Sequence, residues 1–214
     1  MPRKSTAVDM TAMCDVAFLL LSFFILTTKF KTEDLAVVTP KSVSTKPADE
    51  KNMVLITMDK DGKVYFSVGD NNISQKQDII DMIDQGKSLG LSDQEKAAFA
   101  RSGSYVGVPF SMLKSYLKLT PEQVKNYKAA PGIPIDTVNN ELSIWMNAAT
   151  RAFANKTMTL LVKGDNSAKY PTFKGVIDAF KKNELFKFSM ITDPEGAPPG
   201  TALAKKREAG TKEE

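Results

Sequence analysis

The chain has 214 residues, with 29 basic and 25 acidic side chains and a formal charge of +4. That is room for one domain with appendages, and no basic block interleaved with aromatics offers itself to a nucleic acid. Histidine is absent and Cys14 is the lone cysteine, which excludes Ser-His-Asp and Cys-His catalysis, a His/Cys zinc site within one chain, and an intrachain disulfide.

The clearest composition shift comes first. After Arg3 and Lys4, the run from Ala12 to Thr28 is apolar and carries one charge, Asp15. About 17 residues at 1.5 Å each give roughly 25 Å, and flanking Met10, Thr11 and the stem of Lys29 bring this to the ~30 Å of a bilayer core. A cleaved signal peptide is disfavoured, because no small-residue cleavage site follows and the run passes straight into Lys29 and Lys31. The reading is a cytoplasmic tail over 1–10, one transmembrane helix over 11–30, and an N-in orientation set by Arg3 and Lys4.

Residues 31–52 read as a linker, broken by Pro40 and Pro47, in which Ala36 to Thr39 are expected as a short β segment. The folded domain, 53–192, opens with a hairpin: Met53–Met58 and Val64–Val68 flank Asp61-Gly62, expected as a type I′ turn. Asp59-x-Asp61-Gly62 lacks the remaining ligands of a calcium loop and is assigned to that turn. Ser74 to Gln77 reads as a capping box opening a helix with Ile79, Ile80 and Ile83 inward. From about 86 to 155 the chain is helical in character, with starts at Ser92-x-x-Glu95 and Thr120-Pro121-Glu122-Gln123. Val138, Leu142, Trp145, Ala149 and Ala152 then recur at helical spacing, with Trp145 read as core.

A strand over Met158–Lys163, an amphipathic helix with Phe173, Val176, Ile177 and Phe180, and a closing strand over Phe186–Ile191 follow. Asp165 and Tyr170 are assigned to a strand-end turn with a core tyrosine, and Lys181-Lys182 to a solvated helix end. Residues 193–214 read as a disordered tail. The fold class is α+β: one N-terminal transmembrane helix, a linker, and a small ββα–helical insertion–βαβ domain. No metal site and no enzymatic constellation are visible.

Asp15 is the most informative residue. A carboxylate in a spanning helix costs about 2.5–3.5 kcal/mol on insertion scales, which makes it a functional candidate by default. The competing reading is an interfacial aspartate near the N-terminal end of the run that snorkels into headgroups. Thr11, Asp15 and Ser22 fall on one stripe at helical spacing, and a polar stripe on an apolar helix calls for contact with protein or water, hence an assembly. A carboxylate held away from water prefers its protonated form, so alternating access would let such a group bind and release protons. Cys14 points about 100° away and is read as packing.

Asp9-Met10-Thr11-Ala12-Met13-Cys14-Asp15, running into Val16–Leu21, resembles the N-terminal signature of the ExbD/TolR biopolymer-transport family. That signature has a polar residue, Thr-Pro, then an essential aspartate opening an apolar span. Asp15 takes the aspartate's place, Asp9 the polar position and Thr11 the threonine, whereas Ala12 stands where the family has proline. Val38-Thr39-Pro40-Lys41-Ser42 is similar to the family's post-membrane Leu-Pro segment, with Thr39 for Leu. The hairpin around Asp61-Gly62 and the stretch Leu161–Asp165, Tyr170, Phe173–Phe180 also resemble family elements. Residues 86–155 do not.

The resemblance implies a periplasmic α+β domain, a homodimer with both transmembrane helices inside a ring of ExbB/TolQ-type subunits, and a TonB- or TolA-like periplasmic partner. It implies protons as coupling ion with no other cofactor, Asp15 as proton carrier, and Val38, Pro40 and Lys41 as the linker motif; Thr11 and Ser22, by their helical spacing, are the supporting polar stripe. The function so implied is that of an ExbD-like, non-enzymatic subunit energising TonB-dependent transport. Alternatives are a TolR-like envelope-integrity subunit or a signal-anchored periplasmic scaffold.

Overall fold

The computed structural model describes residues 10–27, 37–42 and 51–194, apart from positions 102, 126, 128 and 129. The chain divides into two compact units, residues 1–33 and 34–214. In the first, α1 runs Met10–Thr27. Its 18 residues amount to about 27 Å at the helical rise. Among the described residues no helix is long and apolar enough to cross a membrane, and positions 28–30 of the expected span lie outside them. Met13, Val16, Phe18, Leu19, Leu20, Leu21, Phe23 and Phe24 are all exposed.

The second unit is built on a five-stranded sheet in the order β4-β3-β2-β5-β6. Its members are β2 (Met53–Met58), β3 (Val64–Val68), β4 (Tyr105–Val106), β5 (Thr159–Gly164) and β6 (Ser189–Ile191). β2–β3 and β3–β4 are antiparallel, whereas β2–β5 and β5–β6 are parallel. The register sets Val54, Ile56 and Met58 beside Leu160, Val162 and Gly164, and period-two alternation puts these on one face. Against that face pack α2 (Ile73–Lys87), α6 (Glu141–Ala152) and α7 (Tyr170–Lys182), flanked by α3 (Asp93–Ala100), α4 (Phe110–Leu117) and α5 (Pro121–Lys125). Ile79, Ile80 and Ile83 of α2, Leu142, Trp145 and Ala149 of α6, and Val176 and Phe180 of α7 are buried there, as their helical spacing demands.

The hairpin strands fall where expected, but the turn is not type I′. The Gly62 amide donates to the Asp59 carbonyl (3.1 Å), and Gly62 alone in the loop has positive φ, +81°. This is a three-residue loop, a type I turn closed by a left-handed glycine. The Asp59 carboxylate accepts from the amides of Asp61 (2.9 Å) and Lys63 (2.8 Å), so it is spent on the turn. The helix expected from a capping box at Ser74 starts earlier, with Asn72 as N-cap and no side-chain cap bond. The Asn72 amide group is turned to Asn52 and Gln75 instead. The two later starts form reciprocal boxes: Ser92 with Glu95, and Thr120 with Gln123.

The 86–155 segment differs from a helical appendage in two ways. It supplies β4, an edge strand of the sheet, and it supplies the centre of the core. Trp145 is fully buried, stacked on Phe66 of β3 (5.1 Å between centroids), Phe99 of α3 (5.6 Å) and Phe110 of α4 (5.5 Å). Val138, expected on the inner face of α6, precedes that helix and is 100% exposed. The closing strand is three residues rather than six, and Phe186 is exposed. Asp193 and Pro194, expected in a disordered tail, form β7 and pair in parallel with β1 (Lys41–Ser42); residues 195–214 lie outside the described residues.

Candidate functional site

Two places carry the sequence's functional expectations. The first is α1. Asp15 is the only charged residue among its 18, and its side chain is exposed. Ser22 lies seven residues on, about 20° around the helix, so the two share a stripe. The Ser22 hydroxyl donates to the Leu19 carbonyl at 2.9 Å, which satisfies its proton within the helix. Thr11 lies in α1, but its side chain is outside the described residues. Cys14, expected as packing, is exposed.

The second place is where the post-helix segment meets the domain. The expected β segment at Ala36–Thr39 does not form: Ala36 lies outside the described residues, and the strand is Lys41–Ser42. Val38 is instead held at both backbone groups. Its amide donates to the Asp165 carboxylate (3.0 Å), and its carbonyl accepts from the Asn166 amide (2.8 Å). The Asp193 amide donates to the Pro40 carbonyl at 3.0 Å, continuing into the β1–β7 pair. Thr39 is buried while the Val38 and Lys41 side chains are exposed. The segment is thus fastened by backbone, with one side chain, Asp165, doing the capture.

The Ser167 and Val38 amides hold the Asp165 carboxyl below the usual carboxylate range, because both donate to its charged form. Asp165 therefore marks a strand-end turn that also grips the linker. Tyr170, expected in the core, is exposed at the first turn of α7. Asp165 is legible in the sequence as a turn residue, but its long-range partner Val38 is not. The signal was an Asp-Asn-Ser turn at a strand end, which fixes where a carboxylate sits but not which distant amide it meets.

The arrangement defines a class: an apolar helix bearing a single carboxylate, joined by a short segment to an α+β domain that grips that segment. The family model described as biopolymer transport protein ExbD/TolR matches residues 1–195, and the chain belongs to this family. No curated protein and no solved structure matches the chain. The family is one of energy-coupling transport subunits rather than enzymes, typically anchored in the inner membrane and working with ExbB/TolQ and TonB/TolA partners. The match runs through 86–155, which had looked foreign to the family, in keeping with the place of Trp145 at the centre of the core.

Proposed function

We propose that this protein is the proton-coupled subunit of an inner-membrane motor of the ExbB–ExbD type, energising TonB-dependent transport across the outer membrane. Asp15 is the proton carrier. The observation that carries this reading is one carboxylate on a helix whose large apolar side chains, among the described residues, are exposed. In water such a helix would be untenable alone; inside a ring of membrane subunits its apolar faces are covered, and Asp15 becomes the group that protons visit.

The helix spans the membrane with the N-terminus cytoplasmic, the residues flanking α1 completing the span and residues 53–192 lying in the periplasm. Two copies pair, Thr11 and Ser22 line the polar stripe beside Asp15, and Val38, Pro40 and Lys41 form the post-membrane motif. The coupling ion is the proton, and no other cofactor takes part. A charge crossing the membrane potential is worth about 2.3 kcal/mol per 100 mV, roughly a fifty-fold bias on a conformational step. That is enough to drive a cycle of protonation, helix rearrangement and deprotonation whose output passes to a TonB-like partner.

The test is Asp15→Asn and Asp15→Glu in the native host, scoring proton-dependent transport alongside co-purification of the ring-forming subunits. The expected result is loss of transport for Asn with the complex intact, and partial retention for Glu. Full transport with Asn would overturn the proposal. Transport of TonB-dependent substrates unaffected by deletion of the gene, with loss of envelope integrity instead, would move the protein to the TolR side.

A further inference from the structure

A cleft of about 690 Å³ opens between α7 and the loop 134–140, with Gly62 at its edge. It belongs to neither of the places described above. Its closeness depends on Gly175: a Cβ there would come within 2.7 Å of the Ile135 carbonyl oxygen. The loop is pinned to the helix by Asn140, which donates to the Gly175 carbonyl at 3.0 Å. Loop and helix are therefore in direct contact along the floor of the cleft.

The α7 wall presents Lys174, Asp178, Lys181 and Lys182, and Asp136 faces them from the loop. Spacing of i, i+4 and i+8 along Lys174, Asp178 and Lys182 would ordinarily let these charges satisfy one another. Among the described residues, none of the four forms an ion pair within 4.0 Å, and neither does Asp136. The helix end alone explains Lys181 and Lys182, as cations at a C-terminus, but not Lys174 two turns earlier.

We propose that this cleft docks an extended acidic segment of a protein partner, reading carboxylates three residues apart. Lys174 and Lys181 are seven residues apart on one face, about 10.5 Å along the axis. A chain in the polyproline II conformation repeats every three residues with a rise of about 3.1 Å each, so carboxylates at i and i+3 point the same way about 9.3 Å apart. Each meets one lysine. Asp178 lies between the two cations and repels a carboxylate placed there, so neighbouring acidic residues are selected against. The pairing is between exposed groups, so it supplies register and salt-sensitive encounter more than affinity.

The probes are two fluorescent, end-blocked peptides of equal charge, Pro-Glu-Pro-Pro-Glu-Pro and Pro-Pro-Glu-Glu-Pro-Pro, titrated by anisotropy against the full chain in detergent at low salt. The spaced peptide should bind about three- to five-fold tighter than the adjacent one, the range that exposed ion pairs supply. The double reversal Lys174→Glu/Lys181→Glu, at exposed positions and checked for an unchanged melt, should erase that preference, and Asp178→Asn should raise affinity for the adjacent peptide. Equal binding of both peptides, no detectable binding of either at millimolar concentration, or binding indifferent to the double reversal would each overturn the proposal. So would reversal-sensitive binding to phosphatidylglycerol vesicles without peptide binding, which would make this a lipid-facing surface.

Discussion

Replacing Trp145 by alanine tests whether the segment 86–155 is an appendage or part of the core. The ring is fully buried and contacts Phe66 on the sheet, Phe99 on α3 and Phe110 on α4. A fully buried Trp→Ala substitution costs about 3–5 kcal/mol through lost transfer energy and the cavity left behind. The three aromatic contacts argue for the upper half of that range. For a domain of this size about 3 °C is lost per kcal/mol, so Tm should fall by about 12 °C. Trp145→Phe is the control: the indole Nε1 has no hydrogen-bond partner among the described residues, so removing it forfeits no bond. That variant should lose less than half as much. The assay is urea and thermal unfolding of the full chain in detergent, followed by far-UV dichroism and Trp145 fluorescence in the parent. If Trp145→Ala costs under about 1.5 kcal/mol, or the helices melt while the sheet persists in a separate transition, the claim of one shared core is wrong.

The linker grip should be pH-sensitive only in acid. The Asp165 carboxyl is depressed in the folded state, so its contribution is complete above the ordinary aspartate value of about 3.9 and is lost as pH falls through its lower folded value. Amide exchange at Val38 should therefore be slow and flat from pH 8 to 5 once corrected for intrinsic rates, and lose protection well below pH 4; Asp165→Asn should reduce protection throughout. Ser92→Ala should cost about 1 kcal/mol in urea unfolding, because Ser92 caps α3 and its amide is bonded to Glu95. Ser74→Ala should stay within about 0.5 kcal/mol, since no cap bond forms there. Gly175→Ala should cost about 1–3 kcal/mol from the collision with Ile135, measured by thermal melt, without altering the sheet's dichroism.

What was legible in the sequence was what periodicity and local chemistry carry. The hairpin strands, the α2 isoleucines, the α6 and α7 faces and two capping boxes came from patterns contained within a dozen residues. Several of the failures share a cause: the deciding partner lay far along the chain. Asn72 displaced Ser74 at the start of α2 because its side chain has Asn52, twenty residues away, to bond. Two-residue strands such as β1, β4 and β7 are too short for any alternation to show, and their existence is decided by the neighbours they meet. Val138 kept the helical rhythm of α6 by coincidence; Asn140, whose carboxamide oxygen accepts from the Ser143 amide at 3.1 Å, starts the helix after it.

The linker grip shows why a candidate site can hide in plain sequence. Val38 contributes an amide and a carbonyl, groups that every non-proline residue possesses, so no side-chain pattern could nominate it. Pro40 contributes only a carbonyl, which is all it has to give, and accepts from Asp193. Only Asp165 brings a distinctive side chain, and its own turn already explains half of its bonds. Such a contact is specific in geometry yet tolerant in sequence, except at Asp165. Substitution of the Val38 side chain, which is 70% exposed, should be nearly silent, whereas Val38→Pro, which removes the amide donor and also fixes φ near about −65°, should free the segment as Asp165→Asn does. Agreement between those two variants, set against an inert Val38→Ala, would locate the grip in the backbone rather than in packing.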